Sequence, residues 1–355
     1  MDKVKVGVIG CGNMAQQAHI PCIKANQDAE LIAICGSRKK VNAELCRRWD
    51  IPFATDSFEE LLKQDLDAVY ILTPVQAHLA NIKDALAAGK AVFTEKPVAM
   101  SAAAVRELAA IPGKGIEVGY MKQHENNIRK MREIQSQSDW GKLLFIRNHS
   151  FVGRQWDGAL NNLVKPAVSD EKNTHDLSNL DPGPAWLKGE RNKKFYSFEN
   201  PYYGLLDTGC HSVNLLHYLA GTVPNVLGVN IGNGVTVVHF DFAGTPGEME
   251  FCVNFQMDRW DEVTELYFER ASVRILTPPP LNRQVSAVVE IYSENGALHQ
   301  NLVLEDNRQW AFQLETDSFI KKVKEGCVSS DLEDAATDIE VIEKIYQTII
   351  EGAQA

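Results

Sequence analysis

Over its first 120 residues the chain alternates two hydrophobic rhythms. Short runs rich in β-branched residues occur at VKVGVIG (4–10), ELIAIC (30–35), LDAVYIL (66–72), KAVF (90–93) and IEVGY (116–120). Between them lie longer stretches whose apolar residues return at helical spacing, as in AHLANIKDALAAG (77–89) and AAAVRELAA (102–110). Strand and helix in alternation predict a parallel sheet with helices on both faces. Gly89 is placed to close one helix before the next strand.

After about residue 123 the rhythm changes. A helix over ENNIRKMREIQ (125–135) leads into the strand KLLFIRNHSFV (142–152), and a polar stretch bearing Gly, Pro and Asn then runs from Gly153 to about Asn200. A helix through HSVNLLHYLAG (211–221) is followed by strand-like runs at TVVHFDFA (236–243), EMEFCVNFQ (248–256), VTELYFE (263–269), ASVRIL (271–276) and SAVVEIY (286–292). Strand after strand joined by short turns predicts antiparallel pairing. The expected fold class is α/β, a doubly wound, mostly parallel sheet over residues 1–122, joined to an α+β domain over 123–355 with a large open, mainly antiparallel sheet. A final helix is expected over about 331–352, placed to pack back on the first domain.

A length of 355 residues agrees with two domains. With 36 Lys and Arg against 47 Asp and Glu, the formal charge is −11 and no long basic run interrupts it, so a nucleic-acid partner is not expected. No segment holds the ~18 uninterrupted apolar residues of a membrane span. The seven cysteines are odd in number and contain no C-x-x-C, which points away from a disulfide framework and from a thiolate metal site. The first residues read directly as a strand, without a basic and then apolar leader, so a cytoplasmic location is expected.

The first candidate chemistry is GVIGCGNMA. Gly10, Gly12 and Ala15 stand in the G-x-G-x-x-G/A order at the first strand-to-helix turn, where Asn13 and Met14 open the helix. The first glycine permits the tight turn and the second lets a pyrophosphate approach the backbone; the small third residue lets helix and strand pack closely. The first domain therefore reads as a dinucleotide-binding Rossmann unit. The second strand ends AICGSRKK, with no carboxylate to accept from an adenosine ribose. Ser37 and Arg38 stand there instead, suited to a 2′-phosphate, so NADP(H) is expected over NAD(H). A plain basic start to a solvated helix is the alternative.

VYILTPVQAHLANIKDALAAGKAVFTEKPVA (69–99) resembles the Gfo/Idh/MocA family, that of glucose-fructose oxidoreductase and inositol 2-dehydrogenase. Thr73, Pro74, His78, Gly89, Lys90, Glu95, Lys96 and Pro97 occupy the family's places. With the glycine loop and DTGCHSVNLLHYLAG further on, the resemblance covers essentially the whole chain. It implies that Thr73, Pro74, His78, Glu95, Lys96 and Pro97 border the cofactor, with Lys96 beside the nicotinamide, its pKa depressed by desolvation and neighbouring cations. There the ammonium would hydrogen-bond the reacting hydroxyl and ease the alkoxide character that develops as hydride leaves. Pro97 would fix the backbone behind it; an X-Pro bond can be cis, which sequence does not show.

The same resemblance makes Asp207 and His211 the family's D-x-x-x-H element. Four residues apart on a helix, they share a face; His211 would serve as general base or acid and Asp207 would orient the hydroxyl or the imidazole. On residue type alone, Asp207 reads as an N-cap and His211 as a core histidine. The chain departs from many relatives where Asn214 replaces an Asp, Tyr203-Gly204 replaces a Gly-Gly pair, and Lys122 or Gln123 replaces an Arg. Gln123, Trp186, Tyr203 and Asn214 join Lys96, Asp207 and His211 as candidate substrate contacts. In the 153–200 stretch and just after it, Trp156, Trp186, Tyr196, Tyr202 and Tyr203 suit the apolar faces of a sugar or a subunit contact. His217, His239 and His299 lack metal-ligand spacing and read as structural; His124 and His149 are weaker substrate candidates.

The sequence thus predicts an NADP(H)-dependent oxidoreductase interconverting a secondary alcohol and a ketone on a carbohydrate or cyclitol, with no metal. A non-catalytic cofactor-binding regulator and an NAD-dependent redox-assisted glycosidase are the rivals. A homodimer or homotetramer formed through the C-terminal sheet is expected.

Overall fold

The computed structural model describes residues 2–113, 115–154, 165–171, 181, 183–187, 201–254, 256–306, 309–330 and 332–352. Trp156 and Tyr196 lie outside them. Two compact units are formed. The first comprises 1–119, 161–190 and 312–336; the second comprises 120–160, 191–311 and 337–355. The chain thus leaves and rejoins the first unit twice, where the sequence pattern predicts one cut at 122/123.

In the first unit six strands, β1 (Val4–Ile9), β2 (Ala29–Cys35), β3 (Phe53–Thr55), β4 (Ala68–Ile71), β5 (Ala91–Glu95) and β6 (Ile116–Gly119), form one sheet in the order β3-β2-β1-β4-β5-β6. Every pairing in it is parallel. Helices α1 (Ile20–Ala25), α2 (Lys39–Trp49), α3 (Phe58–Leu62), α4 (His78–Ala87) and α5 (Ala102–Ala109) carry the crossovers. The order reverses between β1 and β4, the point where open α/β sheets bind ligands beyond the strands' carboxyl ends.

Residues on both faces of this sheet are buried, as a continuous apolar run in a parallel strand requires. β4 and β5 are buried at every position. Tyr70 stacks on Phe93 at 4.6 Å, and Phe319 meets both rings edge-on at 5.3 and 5.6 Å. Phe319 comes from a helix over residues 311–325 that the sequence reading left unassigned. Lys322 of that helix donates to Glu117 of β6 at 2.7 Å, which explains a carboxylate only 2% exposed inside a strand. Gly89 has φ +69° immediately after α4, the left-handed closure expected of it.

The second unit is built on eight strands, β7 (Leu143–Val152), β8 (Asn225–Gly232), β9 (Val235–Phe242), β10 (Thr245–Val253), β11 (Asp261–Phe268), β12 (Ala271–Leu276), β13 (Val288–Asn295) and β14 (Leu298–Leu304). Their order is β14-β13-β12-β11-β7-β10-β9-β8, antiparallel except for the β7–β10 pair. Helices α6 (Asn126–Gln137) and α7 (Cys210–Ala220) pack on one face, where Ile146, Leu266, Val273 and Ile291 are buried. The other face carries Phe145, Tyr267, Tyr292 and Val303, with a charge ladder running Arg147, Glu265, Arg274, Glu290 at 3.6–3.7 Å.

The unpredicted strands β8 and β14 are the two edges of this sheet. Both are largely exposed, so neither shows the half-buried alternation that marks a strand. Between β8 and β9, Asn233 and Gly234 both take positive φ (52° and 80°), as an Asn-Gly hairpin turn demands. After α8 (Ala311–Glu325), the terminal helix α9 (Leu332–Gly352) agrees with its predicted span. From residue 337 onward it belongs to the second unit rather than the first, because Asp338 and Tyr346 find their partners there.

A buried ion pair joins Lys122 to Glu262, two residues no more than 7% exposed at their side chains. Nearby, Glu125 accepts from the Ala287 N–H at 3.3 Å. Burial pushes the Glu125 carboxyl up to about 7, against smaller opposing pulls from that hydrogen bond and from Lys122. A carboxyl raised on folding holds a proton that the unfolded chain has lost, so its contribution is fully present below the ordinary carboxylate range and disappears as pH rises through about 7. Glu125→Gln should therefore stabilise the second unit by about 2 kcal/mol near pH 8 and by little near pH 5. Denaturant titrations at the two pH values check this; equal effects at both would contradict it.

Candidate functional site

At the β1–β4 reversal the first unit holds a cavity of 520 Å³. Its wall includes Gly10, Gly12, Ser37, Arg38, Thr73 and Pro74, six of the residues expected at a cofactor. Asn81 and Glu171, which no motif marked, also face it.

The glycine loop is shaped by two different needs. Gly10 has φ +94°, and a Cβ there would lie 2.5 Å from the Leu72 backbone, so the close approach of β1 and β4 excludes any side chain. A Cβ on Gly12 would meet nothing within 4 Å. Gly12 is therefore small toward open space, which is what a loop cradling a pyrophosphate needs. The chain is helical from Asn13 to Ala25, with Ala15–His19 in a wider π turn. Asn13 accepts from Gln17 within the first turn. These residues fit a dinucleotide on steric grounds and by their helix N-terminus.

Two thiols, Cys11 and Cys35, also line the cavity. Burial pushes both up to about 12, and the Cys11 thiol points at the Cys35 carbonyl at 3.7 Å. They are walls, not nucleophiles. Among the described residues no cluster of His, Cys, Asp or Glu could hold a metal.

Lys96 is half-buried at the carboxyl end of β5. Its support is dense. Glu95 accepts from the Lys96 N–H through one oxygen at 3.2 Å and faces His19 through the other at 2.7 Å. Burial alone would raise the Glu95 carboxyl, but the His19 hydrogen bond, with the His19, Lys96 and His78 charges, holds it below the usual range. His19 itself is fully buried among Tyr70, Phe93 and Phe312. The π turn after the glycine loop carries it, and no sequence signal marked it. The Lys96–Pro97 peptide is cis.

His78, also expected at the cofactor, bonds the backbone on both sides of the site. It is 1% exposed, and its two ring nitrogens lie 2.8 Å from the Pro97 carbonyl and 2.7 Å from the Thr73 carbonyl. It is absent from the cavity wall because both its polar atoms serve the backbone. Its role is to lash the loop after β4 to the turn after β5. Burial, the largest influence on it, keeps its pKa below the ordinary value.

In the second unit Asp207 lies within a π turn, Leu205–Gly209, that precedes α7. The helical run already begins at Pro201, so Asp207 is not an N-cap. Asp207 and His211 are both partly exposed. The His211 ring meets the edge of Tyr120 at 6.4 Å, and the Tyr120 hydroxyl is buried without a hydrogen-bond partner among the described residues. Tyr203 and, in the first unit, Trp186 are half-buried.

Asn214, a predicted substrate contact, sits in a buried network. It is 3% exposed; its amide nitrogen donates to Asp338 at 2.7 Å and its oxygen accepts from Gln123 at 2.8 Å. Asp338 also accepts from His217 at 2.9 Å, which gives that histidine the structural role expected of it. The carboxylate that Asn214 lacks is thus supplied by α9, one step behind. Gln123 remains partly exposed, held by this chain of bonds. His149 lies on the open sheet face against Glu250, and His124 bonds Arg129.

Residues 4–114 match the model of an oxidoreductase family with an NAD-binding Rossmann fold. The chain is 31% identical over 100 residues to Oxidoreductase P35 of Formosa agariphila, covering 28% of this chain and 31% of that protein. It is 27% identical over 154 residues to inositol 2-dehydrogenase of Klebsiella pneumoniae, covering 41% and 44%. These alignments therefore span less than half the length of the curated relatives. A solved structure of KijD10, a 3-ketoreductase from Actinomadura kijaniata with NADP and TDP-benzene, superposes with a TM-score of 0.72 over 98% of each chain. At 18% identity that likeness shows the fold alone. Glycine loop, reversal-point cavity and Glu95-Lys96-Pro97 turn agree with the match of residues 4–114 to the Gfo/Idh/MocA oxidoreductase family and its NAD-binding Rossmann fold.

Proposed function

We propose that this protein is an NAD(P)-dependent oxidoreductase that interconverts a secondary alcohol and a ketone on a sugar, a sugar derivative or a cyclitol. The observation that carries this is the cavity at the carboxyl ends of β1 and β4, open exactly where Gly12 lacks a side chain. The nicotinamide would supply or accept the hydride; the protein supplies orientation and electrostatics. Within the proposal Lys96, Asp207 and His211 manage the proton, and Trp186, Tyr203 and Gln123 face the substrate. The names of the relatives, an inositol dehydrogenase and a ketoreductase, support the substrate class.

NADP(H) is the preferred cofactor in this reading, since Ser37 and Arg38 line the cavity where β2 ends without an acid. The protein mixed with NADPH and a panel of keto sugars and keto cyclitols should consume the nicotinamide absorbance. Arg38→Ala should lose roughly tenfold or more in affinity for NADPH, with NADH spared. Tight cofactor binding without turnover across the panel would refute the enzyme, and equal losses for both nucleotides would refute the preference.

The proposal also includes a homo-oligomer through the open sheet face, where Tyr267, Tyr292 and Val303 are exposed. Light scattering that finds a monomer at micromolar concentration would refute it. A cytoplasmic location agrees with seven cysteines of which none is in a disulfide. Among the described residues no helix is long and apolar enough to cross a membrane.

A further inference from the structure

We infer that Glu171, from outside the nucleotide-binding consensus, sets cofactor choice by occupying the anion seat at the start of α2. This rests on the cavity being the cofactor's, as proposed above.

The start of α2 is short of anions. Arg38 stands at its N-cap with no side-chain cap, Lys39 and Lys40 fill its first turn, and no acidic residue is among them. Positive side chains there oppose the helix dipole and leave N–H groups without acceptors. The structure answers with a residue 131 positions away: Glu171 accepts from the Lys40 N–H at 3.0 Å through Oε2. It therefore caps α2 from another segment while facing the same cavity as Ser37 and Arg38.

The carboxylate is fixed there by its own segment. Ser169 donates to Glu171 Oε2 at 3.1 Å and accepts from the Glu171 N–H at 3.1 Å. Upstream, the buried Gln16 accepts from the Ala167 N–H at 2.6 Å and donates to the Ala167 carbonyl at 3.1 Å and the Cys11 carbonyl at 2.9 Å. Arg48 of α2 donates to the Lys165 carbonyl at 2.9 Å, and Lys40 pairs with Asp170 at 3.6 Å. The strap 165–171 is thus stitched to the glycine loop at one place and to α2 at two others.

A carboxylate near the end of β2 is what an NAD-binding site uses to accept from a ribose hydroxyl and to repel a 2′-phosphate. β2 itself lacks one, and the strap delivers it. Arg38 and Ser37 attract the phosphate while Glu171 opposes it and competes for the same N–H groups. Selectivity is then the difference between two built-in terms, one attractive and one repulsive.

The test titrates the full-length protein, Glu171→Gln, Glu171→Ala and Arg38→Ala with NADPH and NADH, following nicotinamide fluorescence, in low and high salt. Both Glu171 variants should raise the ratio of the NADH to the NADPH dissociation constant by roughly five- to tenfold in low salt, and by less in high salt, because surface charge effects are screened. If Glu171 only caps α2, its variants lose thermal stability while the ratio stays at the parent's, and the inference is overturned. The Arg38→Ala arm separates the two ideas: a ratio that moves with Arg38 and not with Glu171 keeps the cofactor site and sinks the role of Glu171. A parent that binds neither nucleotide sinks both.

Discussion

Lys96→Ala is expected to lower kcat by about 10³-fold or more while leaving cofactor affinity within about twofold. The proposal gives Lys96 the charge that develops on the substrate oxygen during hydride transfer, a contribution made mainly in the transition state, so the loss falls on kcat rather than on binding. The surroundings of Lys96 are consistent with such precision. Its own N–H is held by Glu95, Glu95 is held by His19, and the carbonyl of the next residue, Pro97, is held by His78. Three buried polar groups fixing the backbone on either side of one half-buried lysine are more than a strand-end lysine needs to reach water. Lys96→Arg would keep the charge but not its compact shape, and should recover little. Steady-state kinetics on the first substrate found decides it; a Lys96→Ala protein as fast as its parent would remove the ammonium from the chemistry.

What the sequence made legible follows from where the physical constraint is local. Gly10 and Gly12 are required by one turn and one ligand approach, and the spacing of a single strand, loop and helix displays them. The alternation of β7 and β9 through β13 was readable because helices cover one face of the sheet and leave the other open. The edge strands β8 and β14 were not, since exposure on both faces erases the period on which recognition depends.

Site residues divide in the same way. His78 and Asn214 occupy the family's positions, yet their ring and amide atoms are spent on Thr73, Pro97, Asp338 and Gln123. A motif gives the residue and not its partners. His19, Glu171 and Asp338 act through contacts 76, 131 and 124 residues away in the chain, and nothing in their own neighbourhoods signals this. The acid missing at the end of β2 and the acid missing at 214 are both restored from distant segments. A motif therefore shows what its own stretch lacks and not what a distant segment supplies.

The second of these compensations carries the largest stability effect. Asp338 is fully buried and accepts from Asn214 and His217, so Asp338→Ala strips the acceptor from one buried and one half-buried donor and leaves a small void. Removing one partner from such a network costs the desolvation of what remains, and about 3 kcal/mol is expected from urea unfolding of the second unit. Asp338→Asn keeps the shape and one acceptor oxygen and should cost about half as much, because an amide can serve one of the two donors but not both. A second consequence separates this from simple loss of packing. Asn214 orients Gln123, which faces outward from the network, so Asp338→Asn should raise KM for the substrate more than it lowers kcat. If Asp338→Ala unfolds at the parent's urea concentration, the buried carboxylate is a passenger and the departure at Asn214 has no compensation in α9.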